Sequence, residues 1–283
     1  MTEPDPVLLS EREGAVLWLT LNRPRYRNAI NVALITALDE ALAAAASDDG
    51  IGAVVIGGAG PHFCSGHDLG SPGRDLEEPF RRVATTWYDH SDKEGAEAIL
   101  VREDEAYLSI PLRWRELPKP LIAMVHGACV AGGLSLIWPA DLIVASEDAY
   151  FADPVVRMGI PGIEYFAHQY VMSTRIAREF LLLGDRMSAA RAYQVGMVNR
   201  VVPRDELAET TAQLAKRCAA RPRFGVALAK RALNAVEDRM GLRDGMSTAF
   251  GLHQVAHAHN ALTSDDHVGG QNPGSIARDL AGK

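Results

Sequence analysis

The amino-acid sequence predicts a mixed α/β fold, with short strands and helices interleaved over residues 1–203 and helices alone over 204–283. Three observations carry this. Short apolar, β-rich runs recur and stop at glycine, asparagine or proline. Between them lie stretches with apolar residues at helical spacing. After Pro203 every periodic stretch has the helical period.

Taken in order, residues 14–21 form a β-rich run that ends at Asn22-Arg23-Pro24, where proline removes a backbone donor. Leu34, Leu38, Leu42 and Ala45 then repeat at helical spacing, with Asn31 as N-cap and Ser47 to Gly50 as the stop. A second strand, 53–56, runs into Gly57-Gly58-Ala59-Gly60. Residues of about 71–117 are rich in charge, carry Trp87-Tyr88, and show a weak helical pattern through Ile99, Tyr107 and Leu108. A stretch that long without structure is uncommon, so it reads as a helical insertion that covers a site. Residues 121–125 form a buried strand leading into a glycine-rich turn and a helix of about six residues before Pro139. Further strands are expected at 142–145 and 198–202, with a helix over 163–183 between them. The C-terminal helices are expected over 205–219, 222–236 and 242–262.

Composition narrows the function. The chain has 283 residues, 47% apolar and 23% charged, which suits a folded globular protein. A net charge of −7 with no dense Lys/Arg run argues against nucleic acid as a partner. Residues 1–10 lack the basic and apolar regions of a signal peptide, and the apolar stretch at 121–136 is interrupted by His126, Gly127, Gly132 and Gly133. The expectation is a cytoplasmic protein with no membrane partner. Cys64, Cys129 and Cys218 form no CxxC pair, so no disulfide framework or zinc ribbon is expected. His62, Cys64 and His67 have no complementary pair at a zinc-like spacing, and no metal is expected.

Two glycine turns carry the chemistry. Each follows a strand: Phe63-Cys64-Ser65-Gly66-His67-Asp68 after 53–56, and Ala131-Gly132-Gly133 after 121–125. Unhindered backbone N–H groups in such turns can stabilise an oxyanion, although a glycine pair also serves close packing. The spacing matches neither GxGxxG nor a phosphate loop ending in Gly-Lys-Ser/Thr, and Ser135 lacks the glycine pattern of a nucleophile elbow.

Both turns occur within a longer series. Asn22-Arg23-Pro24 with Asn28-Ala29, the 63–68 turn, Pro120-Leu121-Ile122-Ala123, His126-Gly127, Asp141-Leu142-Ile143-Val144 and Phe151-Ala152-Asp153-Pro154 follow in one register. Leu183-Gly184-Asp185-Arg186, Gly196-Met197-Val198-Asn199 and Val201-Val202-Pro203 continue it. The series resembles the enoyl-CoA hydratase/isomerase (crotonase) superfamily over roughly residues 14–240. The resemblance implies a right-handed spiral of ββα turns as the core, with a helical C-terminal part that builds homotrimers or hexamers. It implies an acyl-CoA substrate, with coenzyme A present only as part of the thioester and no permanently bound cofactor. The backbone N–H groups of His67 and Gly132 would hold the thioester oxygen. Arg25, Tyr26 and Arg27, with Ser65, Gly66, His67, Asp68 and Leu69, would line the coenzyme A site.

The resemblance fails at the acids. Hydratases of this family place two glutamates across the alkene; the matching positions here are Ser135 and Val155, which cannot exchange protons near neutral pH. Glu164, expected to open a helix after Pro161-Gly162, is the substitute acid or base, with Tyr165 and His168 nearby. Asp153 reads as a turn residue, and Glu103, Asp104 and Glu105 as a solvated face. His253, His257 and His259 read as a surface or subunit-contact stripe on the last long helix. The side chain of His67 is a further candidate acid, and Arg278 and Lys283 are left without a role. The reading is an acyl-CoA enzyme working through an oxyanion hole. A hydrolase or decarboxylase on the same frame, and a thioester-binding protein without catalysis, are the rivals.

Overall fold

The computed structural model describes residues 6–70, 80–89, 92–264 and 268–282. Strands β1 (Leu8–Glu13), β2 (Val16–Leu21) and β3 (Ala53–Gly58) enclose helix α1 (Val32–Ser47) in sequence. The insertion supplies α2 (Gly95–Glu103), a π-helical turn at Asp104–Ser109 and α3 (Ile110–Arg115). Then come β4 (Leu121–Val125), β5 (Ala128–Val130), α4 (Gly132–Ile137), β6 (Leu142–Ser146) and β7 (Tyr150–Ala152). Helices α5 (His168–Val171) and α6 (Thr174–Leu183), strand β8 (Met187–Ser188), helix α7 (Ala189–Gln194) and strand β9 (Arg200–Val202) complete the core. Helices α8 (Leu207–Ala219), α9 (Arg223–Arg239), α10 (Leu242–Ser264) and α11 (Pro273–Gly282) form the C-terminal part.

Six strands make the large sheet in the order β1-β2-β3-β4-β6-β9, and β5-β7-β8 make a small one. Apart from the antiparallel β1–β2 pair, the large sheet is parallel. A chain segment gives one strand to the large sheet, turns a corner, gives one to the small sheet and then coils. Thus β4 passes through His126-Gly127 into β5 and on into α4, and β6 passes into β7. The corner demands glycine: Gly127 has φ +55°, and a Cβ there would stand 2.3 Å from the Pro61 carbonyl oxygen. The Cys64–Cys129 bridge holds the first glycine turn beside the approach to the second, and the Ile30–His67 bridge ties it to the segment before α1.

The parallel strands are buried on both faces, so they read as continuous apolar runs and not as alternation. Asn31 caps α1 as expected, its Oδ1 accepting from the Leu34 N–H at 3.0 Å. The helix expected over 163–183 is broken. Residues 163–167 form bends, α5 lasts one turn, and a second start at Ser173 opens α6. The cause is Asp153, fully buried, whose carboxylate accepts from the Ile163 N–H at 3.1 Å and pairs with His168 Nε2 at 2.8 Å. The first turn of the expected helix is thereby held by a side chain from β7's exit.

Two further differences concern the insertion and the C-terminus. The helical insertion is present from Gly95 to Arg115, while residues 71–79 and 90–91 of it lie outside the described residues. Its acids are not a solvated face: Glu105 is fully buried and accepts from the N–H groups of Val83, Ala84 and Thr85 at 2.6–2.8 Å. Helix α11 was not among the expected helices, yet it buries Ile276 and Leu280, one turn apart. Arg278 lies on this helix, and Lys283 lies outside the described residues.

Candidate active site

Ser65, His67, Asp68 and Leu69 from the first glycine turn and Val130 and Ala131 from the approach to the second line one wall of a cavity of about 170 Å³. A cavity of that size houses a benzene-sized group, so it suits an acyl chain and not a nucleotide. Val155, Ile160 and Ile163 give it an apolar lining, and α11 closes one side with Pro273, Ile276 and Leu280.

The two turns are in contact. Gly66, at φ +97°, approaches so closely that a Cβ would stand 3.0 Å from the Val130 carbonyl oxygen and 3.3 Å from Gly132 N. Ala131 is held at φ 48°, ψ −123°, a conformation that costs an L residue on the order of 1–3 kcal/mol. That strain sets the orientation of the peptide between Ala131 and Gly132. Gly132 opens α4, so its N–H lies ahead of the helix's own hydrogen-bond ladder.

The His67 imidazole lies over Gly132: a Cβ on Gly132 would stand 2.8 Å from His67 Nε2. The Tyr107 ring meets it edge-on with centroids 3.9 Å apart. Glu164 Oε2 is 3.4 Å from His67 Nε2, and the glutamate is buried. The structure therefore brings His67, Gly132 and Glu164 together, although Glu164 sits in a bend and not on the first turn of a helix. Burial by itself raises the Glu164 carboxyl, but the imidazole of His67 and then that of His253 outweigh it and hold it below its usual range. Glu164 is a carboxylate at neutral pH.

The remaining candidates divide. Val155 lines the cavity and Ser135 is buried within α4. Asp153 and His168 face each other away from the cavity lining, among Trp138, Phe166 and Phe180, and they hold the bend that carries Glu164. Tyr165 is buried, and its burial raises the phenol well above its ordinary value. Asp68 lines the cavity, but its carboxylate accepts from the Arg23 guanidinium at 2.7 Å. Arg23 is a structural clamp that the sequence reading passed over. Arg25, Tyr26 and Arg27 are exposed on the adjoining turn, which meets the first glycine turn where the Ser65 N–H donates to the Arg27 carbonyl at 3.1 Å.

The histidines of α10 overturn an expectation. His253 and His257 are buried and line the cavity, as does Glu103 from α2; only His259 is exposed. His253 Nε2 stands 3.8 Å from Glu164 Oε1 and 3.7 Å from Glu103 Oε2, and His257 Nε2 is 3.0 Å from Glu103 Oε1. The insertion packs α2 against α10, which turns the histidine stripe inward.

The family model for enoyl-CoA hydratase/isomerase matches residues 11–263. EchA13 of Mycobacterium tuberculosis, provisionally named an enoyl-CoA hydratase, is 40% identical over 87% of this chain and 79% of its own. The 1,2-epoxyphenylacetyl-CoA isomerase of Escherichia coli is 32% identical over 81% of this chain and 82% of its own. The crystal structure of a probable enoyl-CoA hydratase from Mycobacterium thermoresistibile superimposes with a TM-score of 0.83 at 40% identity, covering 92% of this chain and 98% of that one. The chain belongs to the enoyl-CoA hydratase/isomerase family, and its core is the crotonase fold. It is an enoyl-CoA hydratase/isomerase-like enzyme.

Proposed function

We propose that this enzyme holds an acyl-CoA thioester with its carbonyl oxygen between the backbone N–H groups of His67 and Gly132. There it stabilises an enolate or oxyanion, and the side chains of Glu164 and His67 move the proton. The observation that carries this is the placement of Glu164 Oε2 3.4 Å from His67 Nε2, within the cavity whose wall the two glycine turns build. Glu164, held as a carboxylate by the imidazoles beside it, is the base, and the His67 imidazole is the group able to return a proton. No step uses Ser135 or Val155, so syn hydration by a glutamate pair is not the reaction proposed.

The acyl chain occupies the apolar end beside Val155 and Ile163. Coenzyme A enters as part of the thioester and leaves along the exposed turn at Arg25, Tyr26 and Arg27, whose guanidinium groups suit phosphates. Ser65, Gly66, His67, Asp68 and Leu69 form the opposing wall. The Arg23 clamp neutralises Asp68, which removes a charge that would repel phosphate. A homotrimer, or a dimer of trimers, fits the exposed apolar residues of α9 and α10, among them Phe224 at 74% and Leu262 at 86% exposure. Among the described residues no helix is long and apolar enough to cross a membrane, and the three cysteines are unpaired, in keeping with a cytoplasmic setting.

Exchange of the α-hydrogen of saturated acyl-CoA thioesters in D2O tests the enolate without requiring the final reaction to be known. The enzyme should exchange α-hydrogen for deuterium on at least one chain length. Glu164→Gln should lower that rate by about two to four orders of magnitude while acyl-CoA binding persists. Gly132→Pro should lower it by roughly 10²–10³. Binding of a chain-length panel with no exchange and no product would identify a thioester-binding protein instead.

A further inference from the structure

We propose that Glu103, His253 and His257 form a binding site for a divalent transition-metal ion of the zinc class, opening onto the acyl cavity. The three donors converge from two elements 150 residues apart in sequence: Glu103 ends α2, and the two histidines stand one turn apart on the buried face of α10. Their ligand atoms all lie within 4.8 Å of one another. Two histidines and one carboxylate, with the remaining position open, make the donor set of a catalytic zinc site.

The distances bracket the spacing of ligands around one shared ion. Atoms about 2.0–2.1 Å from a tetrahedral ion stand about 3.3–3.4 Å from each other. Here the Glu103 oxygens lie 3.0 Å from His257 Nε2 and 3.7 Å from His253 Nε2. The longer separation is beyond a hydrogen bond, and both lie within about 0.4 Å of the spacing of two ligands on one ion.

The surroundings are those of a supported ligand set. His253 Nδ1 is 2.8 Å from the Gly162 carbonyl oxygen, which can only accept, so Nδ1 carries a proton and Nε2 is the ring nitrogen turned to the cluster and available to a metal ion. Gln254 Nε2 donates to Glu103 Oε2 at 2.6 Å and fixes the carboxylate. Glu164 Oε1 lies 3.8 Å from His253 Nε2, so a second carboxylate faces the same nitrogen. Two carboxylates gathered this closely around two imidazole nitrogens need positive charge among them, and a bound ion can supply it in place of the imidazole protons. Two imidazoles favour zinc-class ions over magnesium or calcium, which prefer oxygen. Because the cluster lines the acyl cavity, the open position would take a water or an oxygen carried on the acyl group.

Metal uptake tests this without substrate, so its outcome is separate from that of the acyl-CoA reading. The full chain, stripped with a chelator, is dialysed against Zn2+ and against Co2+, with metal content measured by mass spectrometry and the cobalt form by visible absorption. One ion per chain is expected, with cobalt bands of a tetrahedral or five-coordinate site. His257→Gln and Glu103→Gln should weaken uptake by about 100-fold or more, while His259→Ala, on the exposed face of the same helix, should leave it intact. Circular dichroism confirms that each variant is folded. No stoichiometric uptake by the unaltered chain, or uptake that His257→Gln and Glu103→Gln leave unchanged, would overturn the assignment.

Discussion

Gly132→Ala separates the work of the Gly132 N–H from that of the His67 imidazole, because alanine keeps the donor and adds only a methyl group. That methyl would stand 2.8, 3.0 and 3.2 Å from Nε2, Cδ2 and Cε1 of His67. Relaxed contacts require about 3.5–4.0 Å, so the ring must retreat by about 0.5–1 Å. It cannot retreat freely, since the Tyr107 ring abuts it and the Ile30 bridge fixes its backbone. The displaced imidazole loses its 3.4 Å alignment with Glu164. A misplacement near 1 Å costs on the order of 10²-fold in rate, or about 2.7 kcal/mol at the barrier. Gly132 has no left-handed φ, and alanine raises helix propensity, so the variant should fold. The assay is turnover and α-hydrogen exchange with saturating acyl-CoA, where kcat should fall about 100-fold with little change in KM. Combined with Glu164→Gln, the loss should be far from additive, since both changes break one pair. A folded Gly132→Ala enzyme with full kcat, or losses that simply add, would refute the assigned partnership.

Three other outcomes follow from the same geometry. Asp153→Ala removes the buried partner of His168 and of the Ile163 N–H and should destabilise the protein by about 3–5 kcal/mol in urea unfolding; a loss under about 1 kcal/mol would contradict its bracing role. Burial, with nearby arginines, lowers His62 and His126 from their ordinary value. A folded state that resists protonation leaves stability complete above about pH 6.5 and lost progressively as pH falls below it, which melting across pH 5–8 reads directly. His126→Gln should flatten that loss. Crotonyl-CoA should be hydrated with kcat/KM well below the usual 10⁴–10⁸ M⁻¹s⁻¹, since Ser135 and Val155 supply no acid; efficient hydration would reveal another carboxylate pair.

Much of the frame was written locally. The buried strands announce themselves as apolar runs, Asn31 marks the start of α1, and the glycine turns stand where the chain must bend sharply or approach itself closely. Elements whose stability comes from a partner left weak signals. Strand β1, Leu-Leu-Ser-Glu-Arg-Glu, has no buried face and exists by pairing with β2. Strands β5 and β7, three residues each, are completed by one another. Helix α11 did leave a trace in Asn272-Pro273, a cap followed by a first-turn proline.

The sequence by itself determined the class of fold and the two glycine turns, each after a strand, because strand, turn and helix preferences act over a few residues; that the turns meet is tertiary. It also narrowed the search to Glu164, through the missing acids at Ser135 and Val155. Only the tertiary structure decided what surrounds that carboxylate. Asp153, not helix propensity, shapes the bend holding Glu164, and α2 of the insertion turns His253 and His257 inward against Glu103. A histidine pair at helical spacing reads the same on a surface or in a core. Which one it is depends on the element packed against it, and here that element lies 150 residues away.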